Sequence, residues 1–342
     1  MYNNNKIYLI QRSNGFYYIG YYEASRLRWK TTHCKIKHQA HQVLINYKEH
    51  LKSRTSSKLI SEFMQELFQF EQCELMPGTI RIHKSALNNF INNFGDLHLN
   101  NVSLKQIDQF KAIRLQTVSP VTVNIELRSL KSIFNTALRW NLITTNPFSK
   151  TRFCLIPETA PIFLTKQDFQ ILLSVIKVEW LKEVIIFAVL TGMRRDEILN
   201  LKWQNINLDS ASILIQSSAN FKTKQGKRRT IPINNIALQM LNRLQQKKSA
   251  SEFIFNLNGK QIKNSWLSHS FKKAVRVAQL NDAIHFHSLR HTFASWLVQG
   301  GTPIYEVQKL LGHSNIKVTE IYSHLQPDNL LKTVNKLQIS VN

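Results

Sequence analysis

The chain has 342 residues, more than the roughly 100–200 of one typical domain, so two or three domains are expected. Its hydrophobic fraction of 43% is that of an ordinary globular protein, while 45 Lys and Arg against 21 Asp and Glu leave a formal charge of +24. Such an excess calls for an anionic partner. Nucleic acid is the commonest, because phosphate neutralisation releases counterions; solubility alone is the plainer alternative. Cys34, Cys73 and Cys154 lie far apart with no CxxC, which argues against a disulfide scaffold or a zinc finger and fits a reducing cytosol. "VIIFAVL" is far shorter than the roughly 20 residues that cross a bilayer. "MYNNNKIYLIQRSNG" lacks the apolar core of a signal peptide. A cytoplasmic protein without a membrane partner is expected.

In chain order, residues 1–57 suggest a small module. "KIYLIQR" and "FYYIGYYE" have strand composition, "SNG" between them is a turn signal with Asn14 and Gly15 suited to positive φ, "LRWKTT" suits a third strand, and "KHQAHQVLINYKEHL" a helix. The module holds ten basic residues and two acids. Its strands are candidates for DNA contact through Arg26, Arg28 and Lys30; a structural cap whose aromatics form its own core is the alternative.

Residues 58–147 suggest four helices. "SSKLISEFMQELFQF" has a helical apolar stripe capped by Ser56 or Ser57, and "GTIRIHKSALNNFINNFG" ends at Gly95. "SLKQIDQFKAIRLQ" is capped by Ser103, and "SPVTVNIELRSLKSIFNTALRWNLI" opens on Ser119-Pro120. Lys131 and Arg139 on the fourth helix are further candidate DNA contacts, although most such residues on a helix simply face water. Residues 148–164, rich in proline, suggest a linker. From Thr165, which forms a capping box with Asp168, the pattern is mixed helix and strand to residue 325. "ASILIQ" and "RRTIPI" flank the turn "FKTKQGK" as paired strands. The expected class is mainly α with small β elements (α+β), and residues 326–342 form a tail.

Three segments carry candidate chemistry. In "TGMRRDEILNLKW", Arg194 and Arg195 stand at a helix start, where the macrodipole disfavours cations, so an anion is expected nearby; Glu197 is placed to cap the helix or hold a neighbouring arginine. In "HFHSLRHTFASWL", His287 and Arg290 are three apart and share a helix face, and with His291 they form an apparent cationic cluster. "LGHSNIKVTEIYSHL" carries His313, Tyr322 and His324. Each segment alone is weak, since a single histidine on a helix is more often structural.

Together the segments resemble the tyrosine recombinases, or phage-type integrases. That family shows an arginine in "TGxR…E", then "HxxR", "LGH" and a terminal "YxH". Here these are Arg194 with Glu197, His287 with Arg290, His313, and Tyr322. The family's hairpin lysine corresponds to Lys224, eight residues before Pro232, with Lys222 and Lys227 as competitors. The resemblance covers 165–325 closely and 58–147 more loosely. It implies an N-terminal arm-binding module, a helical core-binding domain and a mixed catalytic domain.

It also implies transesterification at a DNA phosphodiester through a 3′-phosphotyrosine, with no metal, ATP or other cofactor. Tyrosine, with a pKa near 10, needs a base or nearby cations to attack. Guanidinium groups such as Arg194 and Arg290 can each donate paired hydrogen bonds to phosphate oxygens. The resemblance makes His313 a further donor, Lys224 the general acid, His287 a base or proton relay, and Glu197 an orienting residue. The implied partners are double-stranded DNA at core and arm sites, a homo-tetramer on DNA whose tail passes to a neighbour, and DNA-bending accessory proteins. An integrase of a phage or other mobile element is the leading expectation. A topoisomerase IB-like nicking–closing enzyme and a non-catalytic DNA-binding regulator are the alternatives.

Overall fold

The computed structural model describes residues 7–23, 26–55, 58–157, 159–217, 228–247, 251–327 and 334. The chain divides into two compact units, 1–157 and 158–342, and is mainly helical with small sheets.

The first unit opens on an antiparallel sheet, β1 (Tyr8–Gln11), β2 (Tyr17–Glu23) and β3 (Arg26–Thr31), in the order β1-β2-β3. Asn14 serves the first turn through its side chain, which accepts the Phe16 N–H, and not through a positive φ. Helix α1 (Lys37–Thr55) packs on β1 and β2, where Ile19, Ala40 and Leu44 are buried. Tyr8 and Trp29 pack edge to face at 5.8 Å yet remain 40% and 37% exposed. The aromatics are therefore only partly consumed as a core of the module.

Four helices follow: α2 (Ile60–Glu74), α3 (Pro77–Phe94), α4 (Leu104–Leu115) and α5 (Pro120–Arg139). Ser56 and Ser57 lie outside the described residues, and α2 starts later, with Leu59 at the N-cap and the Glu62 carboxylate accepting its backbone N–H. Ser103 and Ser119 cap α4 and α5 by accepting the N–H groups of Gln106 and Thr122. On α5, Val123, Leu127, Leu130, Phe134 and Ala137 recur at helical spacing and are all fully buried. The helix stops at Arg139, short of the expected "NLI", because Asn141 turns left-handed at φ 58°.

The stretch expected to be a linker from 148 begins inside this core. Pro147–Lys150 is a 3₁₀ turn that buries Phe148 completely, 4.9 Å from the Phe134 ring and 6.1 Å from Phe90. Asn124 then holds Cys154 by its backbone, donating to the carbonyl and accepting from the N–H. Proline-rich sequence signals irregular backbone, and here the irregular backbone is packed.

The second unit is built round α7 (Glu179–Thr191), buried at Leu181, Val184, Ile185, Phe187, Ala188 and Val189. Around it come α6 (Lys166–Val175), the short α8 (Arg195–Leu199) and the sheet β4 (Ile206–Asn207), β5 (Ser212–Ile215), β6 (Arg229–Pro232). Next are α9 (Asn235–Gln246), the two-stranded β7 (Asn256–Leu257) and β8 (Lys260–Gln261), α10 (Asn264–Val277), α11 (Ser288–Gln299), α12 (Ile304–Leu311) and α13 (Lys317–Glu320). The expected hairpin is present as antiparallel β5 and β6, with Ile213 opposite Ile231 and Ile215 opposite Arg229. Helix α11 lies along α7, which brings the C-terminal end of α7 to the residues that follow. The turn holding Lys222, Lys224 and Lys227 lies outside the described residues, as does the tail after 327 apart from Val334. Among the described residues no helix is long and apolar enough to cross a membrane.

A side chain at position 148 that merely linked two units would tolerate truncation within about 0.5 kcal/mol. The buried ring predicts instead that Phe148→Ala destabilises the first unit by about 3–5 kcal/mol, measured by denaturant unfolding.

Candidate active site

Arg290 on α11 is 3% exposed, and its guanidinium is tied to two helix ends. One nitrogen donates to the Gly192 carbonyl at the C-cap of α7 and the other to the Leu311 carbonyl at the end of α12, both at 2.6 Å. Helix C-termini carry partial negative charge and unsatisfied carbonyls, so they supply what a buried cation lacks. Both helices end in left-handed glycines, Gly192 at φ 60° and Gly312 at φ 65°. A Cβ at Gly312 would sit 2.5 Å from the Arg229 side chain, so this turn needs glycine for space as well as for φ. Burial, and then the charge of Arg194, pull the Arg290 pKa down to about 9 against the attraction of Glu197, which leaves it charged at neutral pH. With two of its five N–H groups engaged, three remain for an anion.

Glu197 on α8 is the most deeply buried acid of the second unit among the described residues. Its carboxylate accepts two parallel bonds from Arg229 on β6, at 2.8 and 2.6 Å. It also accepts from the Arg194 side chain at 3.0 Å and from the Arg194 backbone at 2.9 Å. Burial alone would raise its pKa, but the bonds and charge of Arg229, then those of Arg194, hold it below the ordinary value. Thus the anion expected beside the helix start is Glu197 itself, and Arg194 is the N-cap residue. Arg229 was not among the expected site residues. The nearest signal was Glu197, expected to hold a neighbouring arginine; its burial, which calls for a further partner, shows only in the fold.

His313 follows Gly312; its Nδ1 lies 2.9 Å from the Thr319 hydroxyl, which leaves Nε2 as its other polar atom. Burial, then the charges of Arg290 and Arg194, lower its pKa to about 3. His287 sits at the N-cap of α11, lowered to about 4 by burial and then by His291 and Arg290; His291 is lowered to about 4 by burial, then by His285 and Arg290. The expected cationic cluster therefore reduces to Arg290, with neutral histidines around it. Arginines win the charge, because an imidazole beside a fixed cation gives up its proton first; His291 and His313 are also partly buried, whereas His287 is exposed and answers mainly to its charged neighbours.

Tyr322 follows α13 and is 1% exposed, packed against Ala294, Val298, Val307 and Leu311. Its hydroxyl lies 2.5 Å from Nδ1 of His291. Burial raises its pKa to about 12, against the pull of Arg290. Arg194, Glu197, His287, Arg290, His313 and Tyr322 thus share one electrostatic neighbourhood, joined by Arg229 and His291. Beside it, Arg194, Arg195, Asp196, Ser268, Lys272 and His285 line an open cleft of about 480 Å³. His324 lies on the 3₁₀ turn Ser323–Leu325 and is exposed.

The candidate DNA contacts of the first unit stand apart in sequence from this cluster. Lys30 lies 4.9 Å over the Tyr47 ring, Arg139 5.1 Å over Phe70, and Lys131 donates to the Ser149 carbonyl at 3.2 Å. Arg28 is exposed on β3, and the side chain of Arg26 lies outside the described residues.

Residues 163–329 match the model of the phage integrase family, and residues 56–153 match that of the phage integrase N-terminal domain. A tyrosine recombinase of Thermosipho africanus is 26% identical over 269 residues, covering 76% of this chain and 93% of that protein. Tyrosine recombinase XerC of Oceanobacillus iheyensis is 27% identical over 290 residues, covering 79% and 93%. Among solved structures, a lambda integrase tetramer bound to a Holliday junction matches with a TM-score of 0.66 at 18% identity, covering 98% of this chain and 97% of that one. That structural likeness speaks for the fold. The two family matches, which fall on the motif-bearing unit and on the helical bundle, show that this chain belongs to the phage integrase family of tyrosine recombinases.

Proposed function

We propose that this family member is a site-specific DNA recombinase, the integrase of a mobile element, that cuts and rejoins DNA through a 3′-phosphotyrosine at Tyr322. The observation that carries the reading is the buried Arg290 lying within electrostatic reach of both Tyr322 and Arg194. A phosphodiester placed between the arginines would take hydrogen bonds from Arg194 and from the free N–H groups of Arg290. Preorganised donors of this kind are worth about 3–4 kcal/mol each in other enzymes. His313, aimed through Thr319, and His287 serve as neutral donors or proton relays, and Lys224 as the acid for the leaving 5′-oxygen. Glu197 holds Arg194 and Arg229 in place. In such a site fixed cations carry the charge, with no metal or ATP needed for the step.

The basic sheet of the first unit, with Arg26, Arg28 and Lys30 on β3, is proposed to bind arm-type sites, and Lys131 and Arg139 the core site. The lambda integrase tetramer on a Holliday junction supports a tetramer on DNA here; a tail, 326–342, passed between protomers is part of the same proposal. DNA-bending accessory proteins would serve to bring arm and core sites together. The domain assignment that goes with this is 1–57 for the arm module, 58–147 for core binding and 165–325 for catalysis.

Nicked duplexes of random sequence test the chemistry. Wild-type protein should form a covalent DNA adduct that disappears in Tyr322→Phe; persistence of the adduct would exclude Tyr322 as nucleophile. Strand exchange at a recovered site would separate recombination from simple nicking and closing.

Arg194 and Arg290 should lose activity for different reasons. Arg194→Ala removes one side-chain bond from a quarter-exposed residue, so adduct formation should fall at least about 10²-fold with stability nearly unchanged. Arg290→Ala orphans two buried carbonyls and should also cost about 2–5 kcal/mol in thermal or chemical unfolding.

The neutral histidines make stability pH-dependent. Each of His287, His291 and His313 binds its proton less readily in the fold than in the unfolded chain, where the ordinary value near 6.5 applies. Between about pH 6.5 and 4 the unfolded chain holds more protons, so stability falls as pH falls through that window. Calorimetry near pH 5 should show uptake of about three protons on unfolding, reduced by one in His313→Asn.

A further inference from the structure

Tyr322 has a neighbour that the proposed mechanism does not use. His291 follows Arg290 on α11, and its Nδ1 lies 2.5 Å from the Tyr322 hydroxyl, the one hydrogen-bond partner of that hydroxyl among the described residues. The two rings are 5.9 Å apart at 48°. His291 also packs edge to face with His287 at 5.0 Å, and His287 stacks on His285 at 6.4 Å. A line of imidazoles therefore runs from the basic cleft, which His285 and His287 line, to the buried phenol.

The direction of the hydrogen bond follows from the charge states. Burial keeps the phenol protonated, and burial with His285 and Arg290 keeps the imidazole neutral. A neutral imidazole offers one acceptor nitrogen. With the ring proton on Nε2 the phenol donates to Nδ1, the one arrangement in which its own proton has a partner among the described residues. Among the described residues the titratable and charged groups around His291 are His285, His287, Arg290 and Tyr322, and no carboxylate is one of them. An incoming phosphodiester would add the missing negative charge and make the ring more basic.

We propose that His291 is the catalytic group that receives the Tyr322 proton. This rests on Tyr322 being the nucleophile. As the tyrosine oxygen bonds to phosphorus, its O–H bond breaks and the proton passes to Nδ1 of His291. The bond from phosphorus to the 5′-oxygen breaks with its electron pair on that oxygen, which takes a proton from a separate acid. In the reverse step the attacking 5′-hydroxyl returns its proton to the conjugate base of that same acid, the oxygen–phosphorus bond to tyrosine breaks, and His291 gives the stored proton to the departing tyrosine oxygen. Arg290 and His291, adjacent in the chain, then divide the work: one serves the phosphate and the other the nucleophile.

The test uses a nicked duplex recovered by covalent capture from a random-sequence pool, made with either oxygen or sulfur at the leaving 5′ position. His291→Asn keeps an acceptor near Nδ1, and so the contact with the phenol, but cannot hold the proton. Its single-turnover adduct formation should fall about 10²-fold on the oxygen substrate, and the sulfur leaving group, which needs no acid, should not restore it. A wild-type rate, a faster rate that marks His291 as a latch on the resting tyrosine, or restoration by sulfur would each overturn the proposal. In the wild-type protein the rate should fall with decreasing pH in step with the His291 titration read by ¹⁵N NMR in the DNA complex; a limb that misses that titration overturns it equally, whether or not the variant folds. Wild type and Tyr322→Phe run alongside. Adduct in both or in neither defeats the nucleophile assignment, whereas adduct in wild type alone with His291→Asn unimpaired defeats only the role of His291.

Discussion

A buried guanidinium between two helix C-termini organises the second unit. Removing a cation from water is costly unless its donors are met, and here the ends of α7 and α12 meet them through the carbonyls of Gly192 and Leu311. The same bonds fix where those helices stop. Gly192 leads directly into Met193 and Arg194, and Gly312 into His313. One ion thus sets the starting points of two of the segments that carry site residues, while its own helix carries His287 and His291. Structure and chemistry are not separable at Arg290.

Around this ion the site divides into charged and neutral parts. Glu197 offsets Arg229 and Arg194 through a four-bond cluster, which allows several arginines to approach one another before any phosphate arrives. The histidines respond to the same field by remaining neutral, and so keep a lone pair available at neutral pH. Tyr322 is sequestered at 1% exposure and keeps its proton. If Tyr322 is the nucleophile we propose, such a resting site withholds it until an anion changes the balance.

Much of the fold was legible. Serine and threonine caps at Ser103, Ser119 and Thr165, the apolar stripe of α5 and the β5–β6 hairpin all follow from local chemistry. Phe148 was not, since its burial depends on Phe90 and Phe134, which are distant in sequence. Arg194, His287, Arg290, His313 and Tyr322, which the fold brings into one electrostatic neighbourhood, stood out in the sequence because their spacing resembles a family pattern. Arg229 was hidden because a strand arginine among several basic neighbours carries no local mark, and only the buried partner Glu197 distinguishes it. The charge states of the histidines were equally hidden: composition counts ionisable groups, and the fold decides which of them ionise.

The account turns on the Tyr322 hydroxyl oxygen being the atom that takes the DNA. Tryptic digestion of a nuclease-trimmed covalent adduct, followed by mass spectrometry, addresses this directly. The account predicts a nucleotide phosphate on the peptide spanning residues 318–332, at Tyr322. A nucleotide on any other residue would contradict it.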